Sequence, residues 1–371
     1  MDKKTWIEIS QSALRHNAQV FLDLAGPAKV MAVIKANAYG HGLRETGRIL
    51  ADSGVQWLAV DHIDEAIQLR KDGIKLPILV MGYTRFNRLV DASAHDISIA
   101  VYNKETIEAL GLIQARTKIH IPIETGLTRD GIHLDQLPSI IDLVKERPSI
   151  LVEGVYLHFA NIEDTKSRDY ADHQLSELKK AIDIFYEYKI YPKLIHAASS
   201  AASLLYTDTH LNMIRVGVSM YGLWPSEDTK DRTNNKILHP ALTWKTIIAQ
   251  INPVKKGTPI SYGLTEVMPY DGKIAVLPIG YADGLDRVGM SSKGYVLIQG
   301  KRCKIMGRVC MNMTMVDVSE LNDVSLETEV TIIGEQLNDS IPVEELATLA
   351  GTINYEIVAR LNPEIPRIVV E

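Results

Sequence analysis

The sequence predicts an α/β fold, an N-terminal (β/α)8 TIM-like barrel followed by a C-terminal mainly-β domain. Three observations lead there. Apolar, strand-like runs recur at 30–34, 57–60, 77–81, 97–101, 119–123, 151–159, 193–196 and 213–220, and helically spaced segments such as 43–53, 63–72, 104–115 and 167–188 separate most of them, the rhythm of repeated βαβ units. The polar residues Lys35, Arg129, His158, Ser200 and Arg215 stand at or just after the C-terminal ends of these runs, the face where barrel enzymes place their chemistry, which favours a barrel over a doubly wound open sheet. Beyond residue 231 the rhythm gives way to strand-like runs with glycine or charged turns between them, the pattern of an all-β domain.

Taken in order, Trp6-Ile7-Glu8-Ile9-Ser10 alternates like a short strand, and 11–24 has helical spacing with Leu14, Val20, Phe21 and Leu24 on one side. The first barrel run, Val30-Met31-Ala32-Val33-Ile34, is apolar and rich in β-branched residues, as a strand buried on both faces requires, and leads into a polar, glycine-containing turn. The charged, proline-containing stretch Trp224-Pro225-Ser226-Glu227-Asp228-Thr229-Lys230-Asp231 breaks the rhythm and reads as the linker between a barrel over 11–230 and a β-domain over 231–371. In the second domain, 242–251, 273–279, 294–299, 304–309, 314–318 and 329–333 read as strands, and one helix over 343–350 precedes a last strand-like run at 367–370. The strand within 1–10 is expected to join this domain.

The chain has 371 residues, longer than one typical domain, and its 46% apolar and 23% charged residues are ordinary for a globular protein. A formal net charge of -6 gives no electrostatic reason to bind nucleic acid or an anionic membrane. Small molecules or protein partners remain. Cys303 and Cys310 are too few for a disulfide scaffold and lack metal-ligand spacing, so reduced thiols and no metal are expected. Met1-Asp2-Lys3-Lys4-Thr5-Trp6 has charge with no apolar segment behind it, and no run approaches a membrane span. The expectation is a soluble, cytoplasmic protein.

Lys35 closes a buried strand, where a cation is costly to desolvate. It either snorkels to solvent or is wanted as a neutral amine for Schiff-base chemistry. Arg215, within Met213-Ile214-Arg215-Val216-Gly217-Val218, sits among apolar residues and needs a partner, a barrel carboxylate being the plain alternative to a ligand. Ser200, after the seventh run, and Gly217-Val218, which ends the eighth strand, stand where barrels commonly bind phosphate, or are an N-cap and a packing glycine. His158, in Tyr156-Leu157-His158-Phe159-Ala160, taken alone reads as a satisfied core histidine.

Lys35-Ala36-Asn37-Ala38-Tyr39-Gly40-His41-Gly42 resembles, over eight consecutive positions, the cofactor-lysine signature of the alanine racemases. The resemblance runs from Trp6 to Arg367. It implies an isomerase carrying pyridoxal 5'-phosphate (PLP) on Lys35, with the phosphate held by Tyr39, Ser200, Gly217, Val218 and Tyr355, and Arg215 facing the pyridine nitrogen. Because arginine is a donor that keeps its proton, that nitrogen would stay unprotonated, which favours reprotonation at Cα over transamination. Ser261-Tyr262-Gly263-Leu264-Thr265 resembles the family's Ser-Tyr-Gly-x-Thr motif, which implies Tyr262 as the second base, connected through His158 to Arg215. In the family this tyrosine comes from the other subunit, implying a homodimer with shared active sites. Met311 would meet the substrate carboxylate, Arg129 that carboxylate or the cofactor oxygen, and Tyr281, Arg287 and Arg308 would line the access channel.

Some positions depart from the family. Its Lys-x-Asp-Thr-Gly-x-Gly-Arg stretch, with a carbamylated lysine, here reads Pro122-Ile123-Glu124-Thr125-Gly126-Leu127-Thr128-Arg129. Arg129 thereby loses the anion that orients it, and Glu124, a bound anion such as chloride, or a rearranged loop is expected to compensate. Asn312 stands for an aspartate and Ser199 for an asparagine. The reading is an alanine racemase supplying D-alanine for peptidoglycan, with a serine or broad-specificity racemase as the alternative. A PLP barrel decarboxylase fits less well, because such enzymes usually set a carboxylate against the pyridine nitrogen, and a PLP-binding protein without turnover would lack the second domain.

Overall fold

The computed structural model describes residues 3–113, 115–233 and 237–371, so Met1 and Asp2 of the N-terminal stretch and part of the segment after the expected linker lie outside the described residues. The chain forms two compact units, one of Ser12–Ala38 and Thr46–His239, the other of Met1–Gln11, Tyr39–Glu45 and Pro240–Glu371. Among the described residues no helix is long and apolar enough to cross a membrane.

The first unit is a closed parallel barrel. With β1 (Thr5–Ser10) reserved for the other unit, its staves are β2 (Lys29–Val33), β3 (Trp57–Val60), β4 (Ile78–Val80), β5 (Ser98–Ala100), β6 (Thr117–Pro122), β7 (Ile150–Tyr156), β8 (Leu194–His196) and β9 (Met213–Val216). Closure is made by β2 against β9, Lys29 opposite Met213 through Ala32 opposite Val216. Staves such as β3 and β4 are buried at every position, as strands covered by helices outside and side chains inside must be. Between β6 and β7 the register slips: Ile119 faces Val152 but His120 faces Gly154, leaving Glu153 without a partner. Helices unmentioned by the spacing argument also form, among them Leu89–Ala94 and Leu137–Lys145.

The second unit is mainly β. Its strands are β10 (Leu242–Ile247), β11 (Gln250–Val254), β12 (Pro259–Ile260), β13 (Glu266–Val267), β14 (Gly272–Leu277), β15 (Tyr295–Ile298), β16 (Lys301–Lys304), β17 (Thr314–Asp317), β18 (Glu329–Gln336), β19 (Asp339–Ile341) and β20 (Arg367–Val370). One sheet runs β16-β15-β18-β10-β1-β20, with β19 on β18. Strand β1 thus pairs antiparallel with β10 and parallel with β20.

Several local expectations are corrected. Within the charged stretch at 224–231, Ser226 caps Thr229 N–H and starts a helix, Glu227–Arg232, which the sequence reading did not anticipate. The run at 242–251 is two strands in different sheets, β10 and β11. The run at 213–220 stops at Val216 and turns into a 3-10 segment, Val218–Tyr221. The strand expected at 304–309 ends at Lys304. The second unit has further helices besides Val343–Ala350, namely Arg287–Met290 and Asn354–Ala359.

Candidate active site

Lys35 follows β2 and opens an unusual turn. Ala36, Asn37, Ala38 and Tyr39 all have φ between 51° and 54°, a turn of left-handed helix built without glycine. Each such residue costs roughly 1–2 kcal/mol, so surrounding bonds must hold the turn. Glu65 does much of this: its Oε1 accepts from Asn37 N–H at 3.1 Å and its Oε2 from Asp61 N–H at 3.1 Å. The Lys35 ammonium lies 3.8 Å from Asp61 Oδ1, with the side chain 39% exposed. It is therefore half-exposed and ion-paired, as the snorkelling alternative has it.

The opposite condition holds at Arg215, which is buried. Its Nη1 donates to His196 Nδ1 at 2.8 Å, and its Nη2 to the carbonyls of Leu157 at 2.8 Å and Ala197 at 3.2 Å and to His158 Nδ1 at 3.3 Å. None of these partners is a carboxylate. Cation–π contact with Tyr156, 5.2 Å from the ring centroid, adds to them. Burial pulls the Arg215 guanidinium down to about 10, still a cation at neutral pH. Burial first, and the positive charges of Arg215, Arg129 and Lys35 after it, drop His158 to about 3, so it stays neutral.

Behind β8 and β9, Ser200 Oγ accepts from Gly217 N–H at 3.0 Å and from Ser219 N–H at 3.5 Å. The N-cap of the helix Ser200–Leu205 is Ser199, so Ser200 is the first helical residue and not the cap. The hydroxyls of Ser199 and Ser219 are buried without a hydrogen-bond partner. Orphaned hydroxyls beside backbone N–H groups suit the oxygens of a phosphate.

Arg129 is oriented by a residue that sequence reasoning missed. Its Nε lies 2.5 Å from Oδ1 of Asp130. Glu124 is occupied elsewhere, accepting from Gly126 N–H at 2.6 Å and Thr128 N–H at 3.0 Å, so it is not the compensating partner. The adjacent acidic residue was the available signal.

In the second unit Tyr39 and Tyr355 pack with ring centroids 6.1 Å apart. Tyr262 lies in the turn Tyr262–Leu264, 71% exposed. Ser261 before it has φ +65°, held by its Oγ donating to Arg308 carbonyl at 2.6 Å. The Tyr281 N–H donates to Cys310 carbonyl at 3.0 Å and that of Ala282 to Met311 carbonyl at 3.0 Å. The turn at Tyr262, the 308–311 stretch and the Tyr281 turn are therefore knit together. Tyr281 and Arg287 also line a cavity of about 250 Å³ with Asp286 and Arg360. Both cysteines are free, and burial raises Cys303 to about 12.

The family models for the alanine racemase N-terminal domain and C-terminal domain match residues 9–225 and 241–369. The chain belongs to the alanine racemase family. Among its relatives, an alanine racemase of Methanococcus maripaludis is 39% identical over 98% of both chains, and one of Desulforamulus reducens is 37% identical over 99% of both. Alanine racemase of Bacillus anthracis with bound L-Ala-P matches with a TM-score of 0.95 at 34% identity, covering 100% of this chain and 96% of that one. Alanine racemase of Clostridium difficile in complex with cycloserine matches with a TM-score of 0.91 at 34% identity over the same shares. As a member of this family the chain is an isomerase.

Proposed function

We propose that the protein interconverts L- and D-alanine with PLP by a two-base mechanism. The observation that carries this reading is Arg215, a buried guanidinium whose bonds go to two imidazoles and two carbonyls. PLP, when bound, supplies an electron-withdrawing ring that acidifies the substrate Cα proton. Arg215 would donate to the ring nitrogen without protonating it. Lys35 would hold the cofactor and move a proton on one face of Cα, and Tyr262 on the other. Ser200, Gly217 and Val218, with Tyr39 and Tyr355, would hold the phosphate, and Arg129 and Met311 the substrate carboxylate.

Tyr262, Leu264, Met311 and Met313 are large side chains left exposed together, which supports a homodimer in which Tyr262 serves the partner's Lys35. The β-domain would thus supply the second base, and Tyr281, Arg287 and Arg308 the access channel. The D-alanine would serve cytoplasmic peptidoglycan precursor synthesis. Pro122, Ser199 and Asn312 keep a serine or broad-specificity racemase as the second reading. Incubating the PLP-loaded protein with a panel of L- and D-amino acids and separating enantiomers by chiral chromatography tests it. Alanine should be racemised from both sides, activity should vanish in Lys35→Ala, and Tyr262→Phe should lose racemisation. Release of carbon dioxide instead, or turnover undiminished in both variants, would overturn it.

A further inference from the structure

Below Arg215 the barrel interior holds a file of polar groups that the proposed reaction does not use. His196 Nε2 is 2.9 Å from His120 Nδ1, and both residues are wholly buried. His120 Nε2 lies 3.5 Å from Glu153 Oε2, long for a hydrogen bond but close for an imidazole N–H against a carboxylate. The file ends where Ser98 Oγ donates to Glu153 Oε2 at 2.6 Å. It runs from the C-terminal end of β8 through the middle of β6 and β7 to the first residue of β5.

Its direction is forced by elementary hydrogen-bond chemistry. A guanidinium has no acceptor, so His196 Nδ1 must accept from Arg215 and its single proton must be on Nε2. That N–H can only donate to His120 Nδ1, which puts the His120 proton on Nε2, facing the Glu153 carboxylate. Burial keeps both imidazoles neutral; it also pushes Glu153 up, but the neighbouring His120 ring, the hydrogen bond from Ser98 and the charge of Lys118 more than offset this and hold the carboxylate ionised.

The backbone is shaped for this arrangement. The register slip between β6 and β7 falls at Glu153, a bulge in a parallel pair, where bulges are rare and re-aim a side chain. A Cβ at Gly154 would stand 2.4 Å from His120 Nδ1, so this glycine makes room for the imidazole. Tyr156 stacks on His196 with centroids 4.8 Å apart, and Trp57 meets His120 edge-on at 5.5 Å.

We propose that His120 and Glu153 are positioning residues for Arg215, acting through His196 to fix its tautomer and hold the guanidinium in one orientation. The carboxylate at the far end answers a buried cation that has no carboxylate of its own. This rests on the racemase reading only for its kinetic consequence.

Two-bond 1H–15N NMR of the imidazoles, together with 15N signals of the arginine guanidinium, tests the proposal in the full-length protein without substrate. His120 and His196 should both be neutral and protonated on Nε2, and Arg215 Nη1 and Nη2 should give separate, slowly exchanging signals. His120→Leu should merge the Arg215 signals. His120→Gln, which retains an acceptor for His196 and a donor for Glu153, should keep them apart. In the holoenzyme, His120→Leu should lower kcat on the order of tenfold or more with KM little changed, and His120→Gln should restore most of it. A His120 protonated on Nδ1 or cationic, or Arg215 signals and kcat unaffected by His120→Leu, would overturn the proposal. If His120→Leu fails to fold, the wild-type tautomers and the His120→Gln spectrum still decide. A wild-type protein with the expected tautomers but no racemisation would sink the functional reading and leave the file intact.

Discussion

Arg129 is more than half exposed, and its ion pair with Asp130 is local and bathed in solvent on one side. Such pairs contribute at most about 1 kcal/mol, so Asp130 orients the guanidinium without adding much stability. Asp130→Asn should raise KM for alanine several-fold, change kcat less and leave the melting temperature nearly unaltered, as steady-state kinetics and thermal denaturation would show. The buried histidines act in the other direction, on stability. His120, His158 and His196 are all held neutral below the ordinary 6.5 of histidine, chiefly by burial. The unfolded chain takes up protons near pH 6.5 and the folded one does not, so stability is lost as pH falls below 6.5, for His158 down to about 3. The slope is up to about 1.4 kcal/mol per pH unit for each histidine. Melting temperatures recorded from pH 7 to 4.5 should fall accordingly, and His158→Gln should make the fall shallower.

At the scale of the element, the left-handed turn after β2 inverts the usual effects of substitution. In a right-handed helix alanine to glycine costs up to about 1 kcal/mol. At Ala36, exposed and with φ +53°, glycine relieves strain, so Ala36→Gly should be neutral or stabilising in chemical denaturation. Gly40 is the contrary case. Its φ is +80° and a Cβ there would meet the Val358 carbonyl at 1.9 Å, so Gly40→Ala should destabilise by about 2 kcal/mol or more. The eight-residue signature was legible because its spacing is local. Its handedness was not, since nothing in Ala-Asn-Ala-Tyr marks four consecutive positive φ values.

At the scale of the whole molecule the proposed shared site makes a numerical prediction. A head-to-tail dimer of Lys35→Ala with Tyr262→Phe carries one doubly defective site and one intact site. Random mixing of the two inactive variants gives half mixed dimers, so about a quarter of wild-type activity should return. Unfolding and refolding the mixture, then measuring racemisation, checks it; no recovery would place both bases in one chain.

The sequence alone determined that the chain alternates strands and helices and then changes to closely spaced strands, because side-chain periodicity is a local property. It also determined which residues could carry chemistry, Lys35, Arg215 and Tyr262 first among them. Tertiary structure alone decided what those residues touch. Asp61 beside Lys35 comes from the next stave, and Asp130 displaced Glu124 as the partner of Arg129 because the Glu124 carboxylate turned back onto its own loop. His120 and Glu153 carried no signal in sequence. They lie on different staves, and only closure of the barrel and a one-residue slip between β6 and β7 bring them into line with Arg215.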